Sequence, residues 1–262
     1  MHFHRHGRIS SYQRGFSLVE IALVLMIAGL ALGAGLAALG PQLQLRKYTG
    51  TQDQMRAATE AIYGFALLNR RLPCPAIVGS NGSESVTDTT TGQCAGNGHG
   101  FLPAATLGLN EVGLSGTPNA GLALDAWSYP LRYSVSQQAE AALCPLTAPC
   151  FPLTVGGGIK TVIDGGGTTS LSAQFRVCST DAGAAGACLA GEQLATPTFI
   201  VYSSGNNGPN TVAGTDEAEN LDADVKFVSR PKVAPATGAE AFDDLLWWQS
   251  MSVILSRLSS IL

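Results

Sequence analysis

The sequence predicts an α+β fold: a long N-terminal helix, apolar enough in its first half to span a membrane, packed on a small, mostly antiparallel β-sheet head with a C-terminal helix. Three observations predict it. Ile21 to Leu39 runs without one charged or strongly polar side chain. Apolar residues then recur at helical spacing as far as Leu72-Pro73. Short strand-like runs, punctuated by glycine, fill much of the remainder. The chain of 262 residues is 45% hydrophobic and 13% charged, with mean hydropathy +0.18, which excludes a charge-driven disordered polymer. Its 15 basic and 19 acidic side chains give a net charge of −4, so no polyanion-binding surface and no nucleic-acid partner are expected.

Arg5, Arg8 and Arg14 all precede the apolar run. A membrane span needs about 20 apolar residues, and the positive-inside rule places a basic N-terminus in the cytoplasm. The run is longer than the roughly 7–15 apolar residues of a secretory signal. The expectation is a single-pass inner-membrane helix over 16–40, with everything after Pro41 exported.

Immediately before the run stands Arg14-Gly15-Phe16-Ser17-Leu18-Val19-Glu20. An acid so close to an apolar helix is costly and usually has a named partner. This combination resembles the signal of the type IV pilin and pseudopilin family: a short basic leader ending in Gly15, then Phe16, with Glu20 as the fifth residue after the cut. The resemblance implies a leader over 1–15, cleavage after Gly15 by a prepilin peptidase, and methylation of the new amino group on Phe16. It further implies that Glu20 meets the N-terminal ammonium of a neighbouring subunit, because an unpaired charge in an apolar bundle is penalised by several kcal/mol. Gly29, Gly33, Gly35 and Gly40 would permit close helix approach.

The helical pattern resumes over 41–72, with Met55, Ala58, Ile62, Phe65, Ala66 and Asn69 on one stripe. A helix from Phe16 to Arg70 would rise roughly 80 Å, and Pro73 and Pro75 forbid its continuation. The head is expected over 73–262. Residues 76–120 read as a long irregular region stapled by cysteine, with Gly96, Gly98 and Gly100 as a flexible loop. Strands are expected where Leu131, Tyr133 and Val135 alternate with polar residues, where Phe175 and Val177 flank Arg176, and at Phe199–Tyr202 and Val225–Val228. Phe242 to Leu262 reads as a helix with a broad apolar face. Asp125-Ala126-Trp127-Ser128-Tyr129-Pro130-Leu131-Arg132-Tyr133 is similar to a stretch that leads into the first strand of the sheet in major pseudopilins. That similarity implies Trp127 and Tyr133 packing on the long helix.

Six cysteines (Cys74, Cys94, Cys144, Cys150, Cys178 and Cys188) all lie beyond the apolar run. An even count in an oxidising compartment predicts disulfides, with fifteen pairings open; sequence-neighbour pairing would close three local loops. His99 is the only histidine after the leader, and no nucleophile-elbow, phosphate-loop or zincin motif occurs. An enzyme is not expected.

Asp216, Glu217, Glu219, Asp222 and Asp224 crowd five carboxylates into nine residues, with no Lys or Arg between Arg176 and Lys226. Calcium takes 6–8 oxygen ligands. Asp216, Asn220, Asp222 and Asp224, with Ser203 and Asn206 as lesser candidates, form the expected ligand set; major pseudopilins carry a calcium loop at a similar place. A solvated acidic loop facing a basic partner is the alternative. The resemblance as a whole implies a structural subunit, minor because of its enlarged loops, of a type IV pilus or type II secretion filament. Its partners would be other pilin subunits, the prepilin peptidase and methylase, and the inner membrane. The alternative is a membrane-anchored periplasmic binding domain that does not polymerise.

Overall fold

The computed structural model describes residues 15–37, 39–109, 113, 116–139, 151–164, 175–209, 211–212, 215–232 and 241–259. The chain divides into two units, Met1–Arg46 and Lys47–Leu262.

The expected single N-terminal helix is instead two: α1, Leu18–Ala37, and α2, Leu39–Asn69. Residue 38, between them, lies outside the described residues. As the third residue of α2, Pro41 stands in a first turn, whose N–H groups have no helical acceptor, and is tolerated there. The membrane expectation is also corrected. Among the described residues, no helix is long and apolar enough to cross a membrane. The expected inner-membrane anchor with a periplasmic head is therefore corrected: no described helix supplies it.

In the second unit α2 buries Thr51, Met55, Ala58, Thr59, Ile62, Tyr63 and Ala66, a stripe at helical spacing. Phe65 and Asn69 lie off it: Phe65 is half-buried beneath the Arg71 guanidinium, and exposed Asn69 caps the Phe65 carbonyl. The helix stops because Arg70 turns left-handed at φ 55° and Pro73 follows.

The single small sheet expected for the head is replaced by three sheets. Strands β1 (Val86–Asp88) and β2 (Gln93–Cys94) form a ribbon. Next comes a 3-10 turn at Ala95–Gly98, so the Gly96–Gly100 segment is an ordered lead into β3 (His99–Phe101) rather than a flexible loop. The central sheet has the order β3-β4-β7-β9, all antiparallel, with β4 at Arg132–Val135, β7 at Phe199–Ser203 and β9 at Leu245–Gln249. The third sheet joins β5 (Arg176–Cys178) to β6 (Gln193–Ala195) and, in parallel, to β8 (Lys226–Val228). Short helices α3 (Gly158–Asp164) and α4 (Asp216–Glu219) interrupt the connections. The predicted C-terminal helix begins later than expected: Leu245–Gln249 form β9, and among the described residues of that span α5, Met251–Ser259, is the helical part.

Alternation along the central strands builds two cores. Tyr133, Val135, Phe199 and Val201 pack with Met55 and Ile62 of α2 and with Ile254 and Leu258 of α5. From β7's other face, Ile200 and Tyr202 pack with Phe175, Val177 and Phe227 of the third sheet. Strand β7 is covered on both sides, which is why all five of its residues are buried. The Asp125–Tyr133 stretch leads into β4, the fourth strand in chain order. Asp125 Oδ1 accepts the N–H groups of Trp127 and Tyr129 at 2.9 Å each, a local turn that favours this residue type. Tyr133 is fully buried and donates its hydroxyl to the Pro73 carbonyl at 3.2 Å; Trp127 packs against the same core.

Candidate functional site

The N-terminal motif opens α1. Ser17 stands just before the helix and its Oγ accepts the Glu20 N–H at 3.2 Å. This is one half of the Ser-x-x-Glu capping pattern, in which a hydroxyl satisfies a donor that the first turn leaves free. Ser17 was missed in the sequence reading, although its spacing from Glu20 is the signal that finds it. Glu20 itself lies in the first turn, where the helix dipole favours an acid. Every described side chain from Gly15 to Ala31 is exposed, including Phe16 at 77% and Leu18 at 85%. A helix apolar all round is stable in water only when something covers it.

The acidic region is distributed differently from the expected ligand set. Asp216 is buried; its Oδ2 pairs with Arg230 at 2.5 Å and its Oδ1 accepts the Asp181 N–H at 2.7 Å. Asn220 is consumed by the backbone of Val228, and Ser203 donates to Asp125 Oδ2 at 2.6 Å. The Asn206 N–H reaches Asp243. Of the predicted ligands only Asp222 and Asp224 share a patch, with Glu219 as their third carboxylate. A cation is already beside that patch: Lys226 Nζ lies 2.9 Å from Glu219 Oε1 and 2.7 Å from Asp181 Oδ1. The residues predicted as calcium ligands therefore do not assemble as one set. A second acidic group, Glu217, Asp243 and Asp244, has its carboxylate oxygens within 4.8 Å of one another.

Burial dominates the electrostatics here. It raises Glu219 to about 7 despite the Lys226 bond, and Asp244 to about 8 despite the bond from Asn220. For Asp181, burial acts upward, but hydrogen bonds with Lys226 and Glu219 outweigh it and hold the carboxyl low. For Lys226, burial acts downward and the bonds to Asp181 and Glu219 reverse it. His99 is lowered to about 4 by burial. Its ring packs at 5.4 Å from that of Phe175 and 6.2 Å from that of Phe227, and Nδ1 lies 3.0 Å from Ser134 Oγ.

Two disulfides occur among the described residues, Cys74–Cys94 and Cys178–Cys188, both sequence-neighbour pairs. The first closes the segment that carries β1 and β2; the second closes the loop that carries Asp181. Cys144 and Cys150 lie outside the described residues. No family model, no curated protein and no solved structure matches this chain.

Proposed function

We propose that this chain is a minor structural subunit of a type IV pilin-like filament, either a pilus or a type II secretion pseudopilus. A prepilin peptidase would cut it between Gly15 and Phe16. The observation that carries the reading is α1: an apolar helix, exposed from Leu18 to Ala31, that begins two residues after Phe16 with Glu20 in its first turn. In a filament the α1 helices of successive subunits cover one another. Burying a Leu or Ile side chain contributes about 1.5–3 kcal/mol, so such a helix supplies ample driving force for association. That force is non-directional and leaves the axial register open. A carboxylate meeting the Phe16 ammonium of a neighbour fixes it, since any other register strands two charges among apolar side chains.

The chain is read as a non-enzymatic subunit. His99, the one histidine of the second unit, serves as a packed core residue in this reading, between Phe175 and Phe227.

The test is Glu20→Ala in cells that make the filament, with sheared filaments and whole cells blotted for the chain. Unchanged cellular amounts with loss from the filament fraction are expected. Wild-type incorporation of the variant would contradict the pairing role.

A further inference from the structure

Lys226 is 3% exposed, on β8, where two carboxylates from different segments converge on it. Its Nζ lies 2.7 Å from Asp181 Oδ1, 3.0 Å from the Asp181 backbone carbonyl and 2.9 Å from Glu219 Oε1. Each partner is fixed by contacts outside this trio. Asp181 sits in the loop closed by Cys178–Cys188, and its N–H is held by Asp216, itself paired with Arg230. Glu219 ends α4, whose first turn is capped by Thr215. The Lys226 N–H donates to Asp224 Oδ1 at 2.5 Å. Amine and carboxyl are thus presented to each other by a disulfide loop and a strand, with a third carboxyl touching the amine.

We infer that Lys226 and Asp181 become joined by an amide between Nζ and Cγ, with Glu219 moving a proton. The step balances without any outside reagent. Across their 2.7 Å contact the ammonium of Lys226 first passes a proton to the Asp181 carboxylate, giving a neutral amine and a carboxylic acid, and Nζ attacks Cγ. Glu219 takes a proton from Nζ of the tetrahedral centre and delivers it to the hydroxyl, which leaves as water. An ammonium and a carboxylate become an amide and one water; nothing is oxidised or reduced.

Two physical arguments favour it. Groups held at contact distance react as if at very high concentration, on the order of 10⁵–10⁸ M in well-oriented cases. Burying the Lys226 ammonium, 3% exposed, also carries a desolvation penalty, and the amide removes that charge; Asp181, 30% exposed, keeps part of its hydration. Glu219 suits the shuttle because its Oε1 lies 2.9 Å from Nζ, within reach of the proton it takes and returns. The cross-link would tie the disulfide loop to β8. It does not rest on the filament reading.

Trypsin supplies the test, because no Lys or Arg lies between Arg176 and Lys226. The full chain is reduced, denatured, digested and weighed by mass spectrometry. The amide predicts a fragment 177–232 that is uncut after Lys226 and one water lighter than its sequence mass. Chymotryptic cleavage at Phe199 and Tyr202 should then leave the pieces bearing Asp181 and Lys226 still joined. A fragment ending at Lys226 with unaltered mass would overturn the proposal, as would a water loss that leaves those pieces separate. Glu219→Gln chains whose circular dichroism matches the parent are expected to be cut at Lys226. Equal cross-linking in them would overturn the role given to Glu219.

Discussion

Asn220 holds Val228 by both of its backbone groups: Oδ1 accepts the Val228 N–H at 2.7 Å, and Nδ2 donates to the Val228 carbonyl at 3.0 Å. The same Nδ2 donates to Asp244 Oδ2 at 2.8 Å, so one side chain ties the end of α4 to β8 and to the approach of β9. Asn220 is buried, and removing it strands an N–H, a carbonyl and a carboxyl together. Asn220→Ala is predicted to destabilise the chain by about 3 kcal/mol, since a buried orphan group costs roughly 1–3 kcal/mol. Urea unfolding followed by tryptophan fluorescence measures this. A change under about 0.5 kcal/mol, the size typical of surface substitutions, would show that the contacts carry no net stability.

The pH dependence of stability follows from two buried groups acting oppositely. His99 is held at about 4, below its ordinary 6.5. Between those values the unfolded chain binds the proton and the folded chain does not, so this group makes stability rise as pH rises through that window. Asp244, held at about 8, keeps its proton in the folded chain above the ordinary carboxyl range, so its contribution falls as pH rises toward 8. His99→Phe should remove the rising part, on the order of 3 kcal/mol between pH 4 and 6.5. An unaltered slope in that variant would mean that His99 titrates normally.

Cys178–Cys188 closes a short loop, with a sequence separation of 10. The paired change Cys178→Ser with Cys188→Ser is predicted to cost about 3 kcal/mol through the freedom it restores to the unfolded chain. It should also loosen Asp181 from Lys226. The checks are a lower urea midpoint and greater protease sensitivity near Asp181; an unchanged midpoint would count against both.

Much of the central sheet was legible because its strands sit in simple environments. Tyr133 and Val135 alternate with polar neighbours, and Phe199–Tyr202 is a continuous apolar run because both faces of β7 are covered. Leu245–Gln249 was not legible as β9. Short apolar runs fit a helix or a strand equally well, and only register against β7 decides between them. The ribbon β1-β2 and strand β6 have too few apolar residues to show any period. In the acidic region the crowding of carboxylates was plain from sequence, but its relief was not. Lys226 and Arg230 lie just beyond the crowded segment and fold back onto Glu219 and Asp216, a pairing set by the parallel β5-β8 contact. At the N-terminus the Ser17–Glu20 spacing that caps α1 stood in the sequence but was not read.

Gly15 carries a prediction of its own. A peptidase that cuts after this position must accommodate its side chain, and α1 does not begin until Leu18, so the structure itself tolerates change there. A Cβ at Gly15 would meet nothing within 4 Å. Gly15→Leu should therefore leave folding intact while the leader stays attached, visible as a slower band on a gel. A normally shortened band would contradict the assignment of the cut.

The most direct measurement of the filament reading is mass spectrometry of the N-terminal peptide of this chain, recovered from purified filaments. The predicted result is a chain beginning at Phe16 with one methyl group on its amino nitrogen. A chain absent from the filaments, or present there with residues before Gly15 still attached, would contradict it.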